Sequence, residues 1–422
     1  MKEEMLHYVW RLKRFDLTDL LTTEGDPLEI LHFGEYNRHA GPDFANARIR
    51  IGDTLWAGNV EMHLRASEWF QHGHQDDPAY QNVILHVVLE EDRPVICDNG
   101  SRLPCLELHR RIPVKLAKTY RKLLHNEFWI PCQHHFPAVS KITLNLWLDR
   151  LLVERLEEKT NVIAKRLTAN GNDWEETCYQ LLARNFGLRV NADPFDMLAR
   201  SLPRRLLARH RDSCFQIEAL LFGQAGLLGR DFKDDYPQRL QKEFDFLRKK
   251  YALQPIPGES WKFLRLRPAN FPTVRIAQLG TLLAQSNQLF GKMLMANNLI
   301  EIENMFEVNL SNYWWTHYVF DKLSKRQRKA LGREAVHLFV INTIAPLLFT
   351  YGRHRQEPRF EDKALAFLEA LPPESNRLIR GWQQLEVSPD SAYQTQALLQ
   401  LKRHYCNGKR CLECAVGATI LK

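Results

Sequence analysis

The hydrophobic positions follow two regimes, and the pattern changes near Val114. At the start, Met5, Val9, Leu12 and Phe15 recur at intervals of four, three and three, which predicts an amphipathic helix. Residues 27–34 read as a short strand. Ala45, Ala47, Ile49 and Ile51 then alternate with Asn46, Arg48 and Arg50, the period of a half-buried strand. Residues 52–54 turn the chain. Trp56, Val60, Met62 and Leu64 give the return strand an apolar face, so Glu61, His63 and Arg65 share the other. Residues 67–80 are expected to open on a Ser67 N-cap and form a short helix and loop. Residues 82–90 are almost continuously apolar, as in a strand covered on both faces. A second hairpin is expected over 94–109, turning at Asp98, Asn99 and Gly100.

From Val114 onward the period is helical. A long helix is expected over 139–167. Shorter ones are expected over 173–186, 194–201, 213–223, 237–251, 274–284, 311–320, 333–350, 362–370, 374–385 and 392–405, punctuated by Gly and Pro. The expected class is therefore α+β: an N-terminal domain over 1–113 in the order α-β-β-β-α-β, a helical region over 114–400, and a Cys-rich terminus over 401–422.

Composition narrows the function classes. With 45% hydrophobic and 26% charged residues the chain is globular rather than disordered. A net charge of +8 points to a polyanionic partner. The first fifteen residues have no long apolar core, so no signal peptide is expected. The most apolar stretch, 337–352, is short and interrupted by Asn342 and Pro346, so no membrane span and a cytoplasmic location are expected.

The chemistry concentrates in the first hairpin. Asp43 opens one strand directly after Pro42, and Glu61 lies in the return strand two residues before His63. Antiparallel pairing sets the start of one strand beside the end of the other, so both carboxylates are candidates to hold one ion. Carboxylate oxygens suit Mg²⁺ or Mn²⁺. Such an ion lowers the pKa of water and offsets phosphate charge. His63, on the face of Glu61, is the candidate to orient the water or act as general base. Arg65, His72 and His74 are substrate-binding candidates, while His86, inside an apolar strand, reads as a core residue.

Pro42-Asp43 followed by Glu61-Met62-His63, in this element order, resembles the PD-(D/E)XK nuclease superfamily. That resemblance covers about the first 113 residues and implies a restriction-endonuclease-like fold cleaving DNA or RNA. The family motif has lysine where this chain has His63, which replaces a permanent cation with a conditional one. Residues 69–74, WFQHGH, are loosely similar to very-short-patch repair endonucleases. The whole chain also resembles an uncharacterised bacterial family through its GPDF, VEMH, HGH, VILHVV and RPANFP segments and its cysteine-rich end.

Three of the eight cysteines stand at Cys406, Cys411 and Cys414, a C-x4-C-x2-C spacing that suits metal rather than disulfides. A fourth ligand is expected from His404 or from Cys132. Zn²⁺ is the first expectation and an iron–sulfur cluster the alternative. Basic runs at 204–212, 248–251, 264–268 and 324–333, with the aromatic run 312–318, are candidate nucleic-acid contacts. The leading expectation is a Mg²⁺- or Mn²⁺-dependent nuclease. The alternatives are an inactive nucleic-acid-binding module, or a scaffold whose helical region binds a protein partner around a structural metal.

Overall fold

The computed structural model describes residues 2–37, 39–97, 100–286 and 288–422. It is α+β and divides into two compact units. The first comprises 1–147, 383–386 and 401–422; the second comprises 148–382 and 387–400. These units do not coincide with the three expected segments: residues 114–147 and the cysteine-rich end belong to the same unit as the N-terminal sheet.

The first unit is built on one mixed sheet. Its strands are β1 (Leu28–His32), β2 (Glu35–Tyr36), β3 (Phe44–Ile51), β4 (Thr54–Arg65), β5 (Val83–Glu90) and β6 (Cys105–Glu107). The order is β1-β3-β4-β5-β6, with β2 paired to β3. The β3–β4 hairpin is antiparallel, whereas β5 runs parallel to β4. That crossover carries a one-turn helix, α2 (Glu68–Gln71), and the histidine loop behind it. Helix α1 (Glu3–Arg11) has Glu3 and Glu4 in its first turn and Arg11 in its last, matching its dipole. It packs on β4 and buries Met5, Leu6, Val9 and Trp10.

Three local expectations are corrected. Ser67 does not cap a helix; its N–H and hydroxyl both donate to Asp92, at 2.9 and 2.7 Å. Residues 94–109 do not form a regular hairpin. Asp98 and Asn99 lie outside the described residues, Ile96 and Arg102 make a single antiparallel bridge, and β6 pairs parallel to β5. Pro94 and Pro104 lack the N–H groups that a longer hairpin ladder needs. Finally, the helix expected over 311–320 stops at Thr316, where His317–Val319 forms a strand. The β-prone Tyr318-Val319 pair and the positive φ of Asp321 favour a small hairpin there.

The second unit is helical. Arg333–Arg355 is long and apolar enough to cross a membrane by length and composition, but 78% of its most apolar window is buried within the protein. Pro346 removes one helical N–H, the helix relaxes into a π turn over Val340–Ile344, and Lys159 Nζ donates to the Ile341 carbonyl at 3.2 Å. The aromatic run is only partly core: Trp314 is fully buried against Phe222 and Phe320, while Tyr313, Trp315 and Tyr318 are half-buried. Lys329, in a basic run, spends its ammonium on the carbonyls of Trp314 and Trp315.

One bulge positions the site. The β3–β4 register shifts between Phe44 and Ala47, and Asn46 sits there at φ 60°. Phe44 and Ala47 are therefore both buried although they lie an odd three positions apart. Asn tolerates this left-handed backbone and a β-branched residue does not. Asn46→Val is expected to cost about 1–2 kcal/mol in urea unfolding, and Asn46→Gly close to nothing. Equal stabilities for the two variants would contradict this account of the bulge.

Candidate metal centre

The site begins with two hydrogen bonds across the hairpin mouth. The Asp43 N–H donates to Glu61 Oε2 at 3.0 Å, and the Met62 N–H donates to Asp43 Oδ2 at 3.0 Å. Each carboxylate thus grips the other strand's backbone, and the acids are held side by side. Glu61 is almost fully buried and Asp43 about one-fifth exposed.

From this clasp the two acids face different imidazoles. Asp43 groups with Glu3 and His7 of α1, with ligand atoms all within 4.8 Å of one another. His7 Nε2 lies 3.1 Å from Asp43 Oδ2 and 3.5 Å from Glu3 Oε1. On the other side, His63, His72 and His74 also bring their ligand atoms within 4.8 Å of one another. Glu61 Oε1 borders this group, 3.7 Å from His63 Nε2 and 3.4 Å from His74 Nε2. Glu61 therefore stands between two half-sites. His63 and Glu61 form the floor, and His72 is exposed.

His72 and His74 meet because Gly73, at φ 74°, turns the chain between them. The ring of Tyr80 stacks on His74 at 3.8 Å, and Trp69 stands edge-on to His74 and His86. His86 is more than a core residue. Its Nε2 lies 2.8 Å from His63 Nδ1, and His63 Nε2 lies 3.2 Å from His72 Nδ1. Three imidazoles form a chain from the interior to the surface. His86 occupies the Nδ1 of His63, which leaves Nε2, facing His72 and Glu61, as the nitrogen directed into the site.

The electrostatics separate the two halves. Burial lowers the His7 pKa, but the contacts with Asp43 and Glu3 outweigh it and raise the value to about 9. Burial drops His63 to about 3, with the His86 charge adding to the effect. Burial and the His74 charge bring His86 to about 3 as well. His74 is lowered by burial and by His72. Neutral imidazole is the form that binds metal, so His63 and His74 are biased towards the ligand state. Burial and then the Asp43 charge push Glu61 far above the carboxylate range. The buried Nε2 of His74 lies 3.4 Å from Glu61 Oε1 yet makes no well-directed hydrogen bond. Buried polar atoms normally have a partner, so a nitrogen placed this way fits a metal ligand.

Of the residues singled out from sequence, Asp43, Glu61, His63, His72 and His74 come together. Arg65 does not join them; it is exposed at the end of β4 and its charge acts on Asp92. Glu3 and His7 were missed. Their i,i+4 spacing on α1 marks one helix face, but nothing in the sequence sets that face beside Asp43. A cleft of about 860 Å³, lined in part by His7, adjoins α1 and α3 (Val114–His125). Lys2, Arg11, Arg121, Lys409 and Arg410 line it against Glu4 and Glu413.

Residues 3–377 match a family model described as "Protein of unknown function (DUF2851)". The chain belongs to the DUF2851 family. The match covers most of both units and agrees with the whole-chain resemblance to an uncharacterised family; the nuclease-like resemblance gains no support from it. No curated protein and no solved structure matches this DUF2851 chain.

The raised His7 and Glu61 values carry a sign. Without metal, the folded state keeps protons on both groups that the unfolded chain releases at lower pH. Stability therefore falls as pH rises from 6.5 towards 9. In EDTA, urea unfolding is expected at lower denaturant at pH 8 than at pH 6.5, a range below ordinary thiol ionisation. Glu61→Gln should shrink that difference. A midpoint that stays flat in the parent would contradict the assignment.

Proposed function

We propose that this chain is a metal-dependent hydrolase of phosphodiester bonds in nucleic acid. One observation carries the reading: two clasped carboxylates and four imidazoles, from α1, the hairpin and the crossover loop, converge at one partly open place on the sheet. His63, His72, His74 and Glu61 would hold one divalent ion, with Asp43 and Glu3 bordering it. Three nitrogens beside one carboxylate suit first-row transition ions, so Mn²⁺ or Zn²⁺ fits this half better than the hard ion Mg²⁺. When bound, such ions acidify water and offset charge on a phosphodiester.

The chain's own residues supply the rest. Glu61 keeps Asp43 aligned through its backbone N–H, and His86 orients His63. His7, a cation beside Asp43, offers the positive charge that the nuclease-like motif takes from lysine. The neighbouring cleft has more basic than acidic lining residues, which supports a polyanionic substrate. DNA and RNA remain equal candidates on this chemistry.

The test is hydrolysis of single- and double-stranded DNA and of RNA with Mn²⁺, Zn²⁺, Co²⁺ or Mg²⁺. The parent is expected to cleave at least one substrate, with a transition ion exceeding Mg²⁺. Asp43→Asn, Glu61→Gln and His74→Ala should each lose about 100-fold or more. No cleavage by the parent with any ion, or equal cleavage by parent and variants, would remove the hydrolase reading.

A further inference from the structure

Away from the histidines, the first unit gathers a second set of metal-type side chains. Cys132, Cys406, Cys411 and Cys414 form no disulfide. Cys132, Cys411 and Cys414 are buried and Cys406 is half-buried. Cys132 comes from a loop far from the others in sequence, and the chain is tied so as to bring it there. Lys409 Nζ donates to the carbonyls of Leu124 and Asn126, at 2.6 and 2.9 Å. Asn126 Nδ2 donates to the Pro131 carbonyl at 2.7 Å, next to Cys132. The Lys402 ammonium lies 5.2 Å from the centre of the Trp129 ring. Two lysines of the C-terminal segment thus pin the Cys132 loop.

The thiols sense one another. Burial, then Cys414 and Cys411, raise the Cys132 pKa to about 12. Burial, then Cys414, Cys132 and Cys411, raise Cys406. The loop is also shaped towards a sulfur. Burial raises the Cys414 pKa, and the N–H groups of Gly417 and Val416 and the indole of Trp147 act against that rise. Gly417 packs so closely that a Cβ there would lie 2.0 Å from the Cys411 carbonyl oxygen. Four protonated thiols pack no better than four small apolar residues. Four cysteines held in one buried place are the donor set of a structural zinc or iron–sulfur centre.

We infer that Cys132, Cys406, Cys411 and Cys414 ligate one thiophilic metal centre, zinc or an iron–sulfur cluster, which fixes the Asn407–Arg410 loop as a wall of the cleft beside His7. The four thiols complete the donor set without His404. The centre is structural: it shapes the cleft and takes no part in hydrolysis. It does not depend on the proposed activity.

The full chain is purified under anaerobic conditions and assayed for zinc, iron and acid-labile sulfide. The expected result is a thiol-bound centre in every chain, as zinc or as iron with sulfide. His63→Ala/His74→Ala should keep it, and Cys411→Ser/Cys414→Ser should lose it. Zinc at the cysteines gives a thiolate-to-cobalt charge-transfer band on cobalt exchange; a cluster gives a visible chromophore that bleaches with dithionite. Both readings come from the unmutated chain and survive misfolding of a variant. Gly417→Ala should lower the metal content of the cysteine site. A folded parent with neither the cobalt–thiolate band nor an iron–sulfide chromophore overturns the inference. So does a parent whose four thiols react with a thiol reagent equally before and after chelation.

Discussion

The clasp at the hairpin mouth is the constraint on which the site depends. A buried carboxylate costs several kcal/mol unless its oxygens are satisfied. Asp43 and Glu61 each take a backbone N–H from the opposite strand. That exchange fixes the register where the bulge disturbs it, and it fixes both side chains without using up their oxygens. One oxygen of Glu61 remains directed at His63 and His74.

The arrangement is poor core material and good ligand material. An apolar residue at Glu61 or His63 would bury more cheaply than a carboxylate that tends to hold a proton or an imidazole held neutral. The sheet accepts both, along with His86 behind them, and leaves the Nε2 of His74 without a directed partner. A cation bounded by Glu61, His63 and His74 would turn these costs into favourable contacts. The same reasoning applies at the cysteines, where buried thiols raise one another's pKa.

Much of this was legible in the chain. Period-two alternation located β3, and the continuous apolar run of β5 announced a strand covered on both faces, as the unbroken burial of residues 83–88 shows. The acids and histidines of the hairpin and crossover loop were visible as residue types. Their division into two half-sites was not. It depends on where α1 docks and on the left-handed turn at Gly73, neither of which periodicity reports. Asn46 hides the bulge, because one αL residue leaves the alternation around it intact. His86 looked like core because it is core, and only the neighbouring strand shows that it holds His63. The cysteine spacing was plain, but Cys132 was one of two possible fourth ligands until the lysine ties placed its loop.

Crystals grown with Mn²⁺ and measured near the manganese absorption edge test the central claim most directly. An anomalous peak bounded by Glu61, His63, His72 and His74 is the result the account predicts. Clear density for these side chains with no peak among them, at saturating Mn²⁺ and again at saturating Zn²⁺, would contradict it.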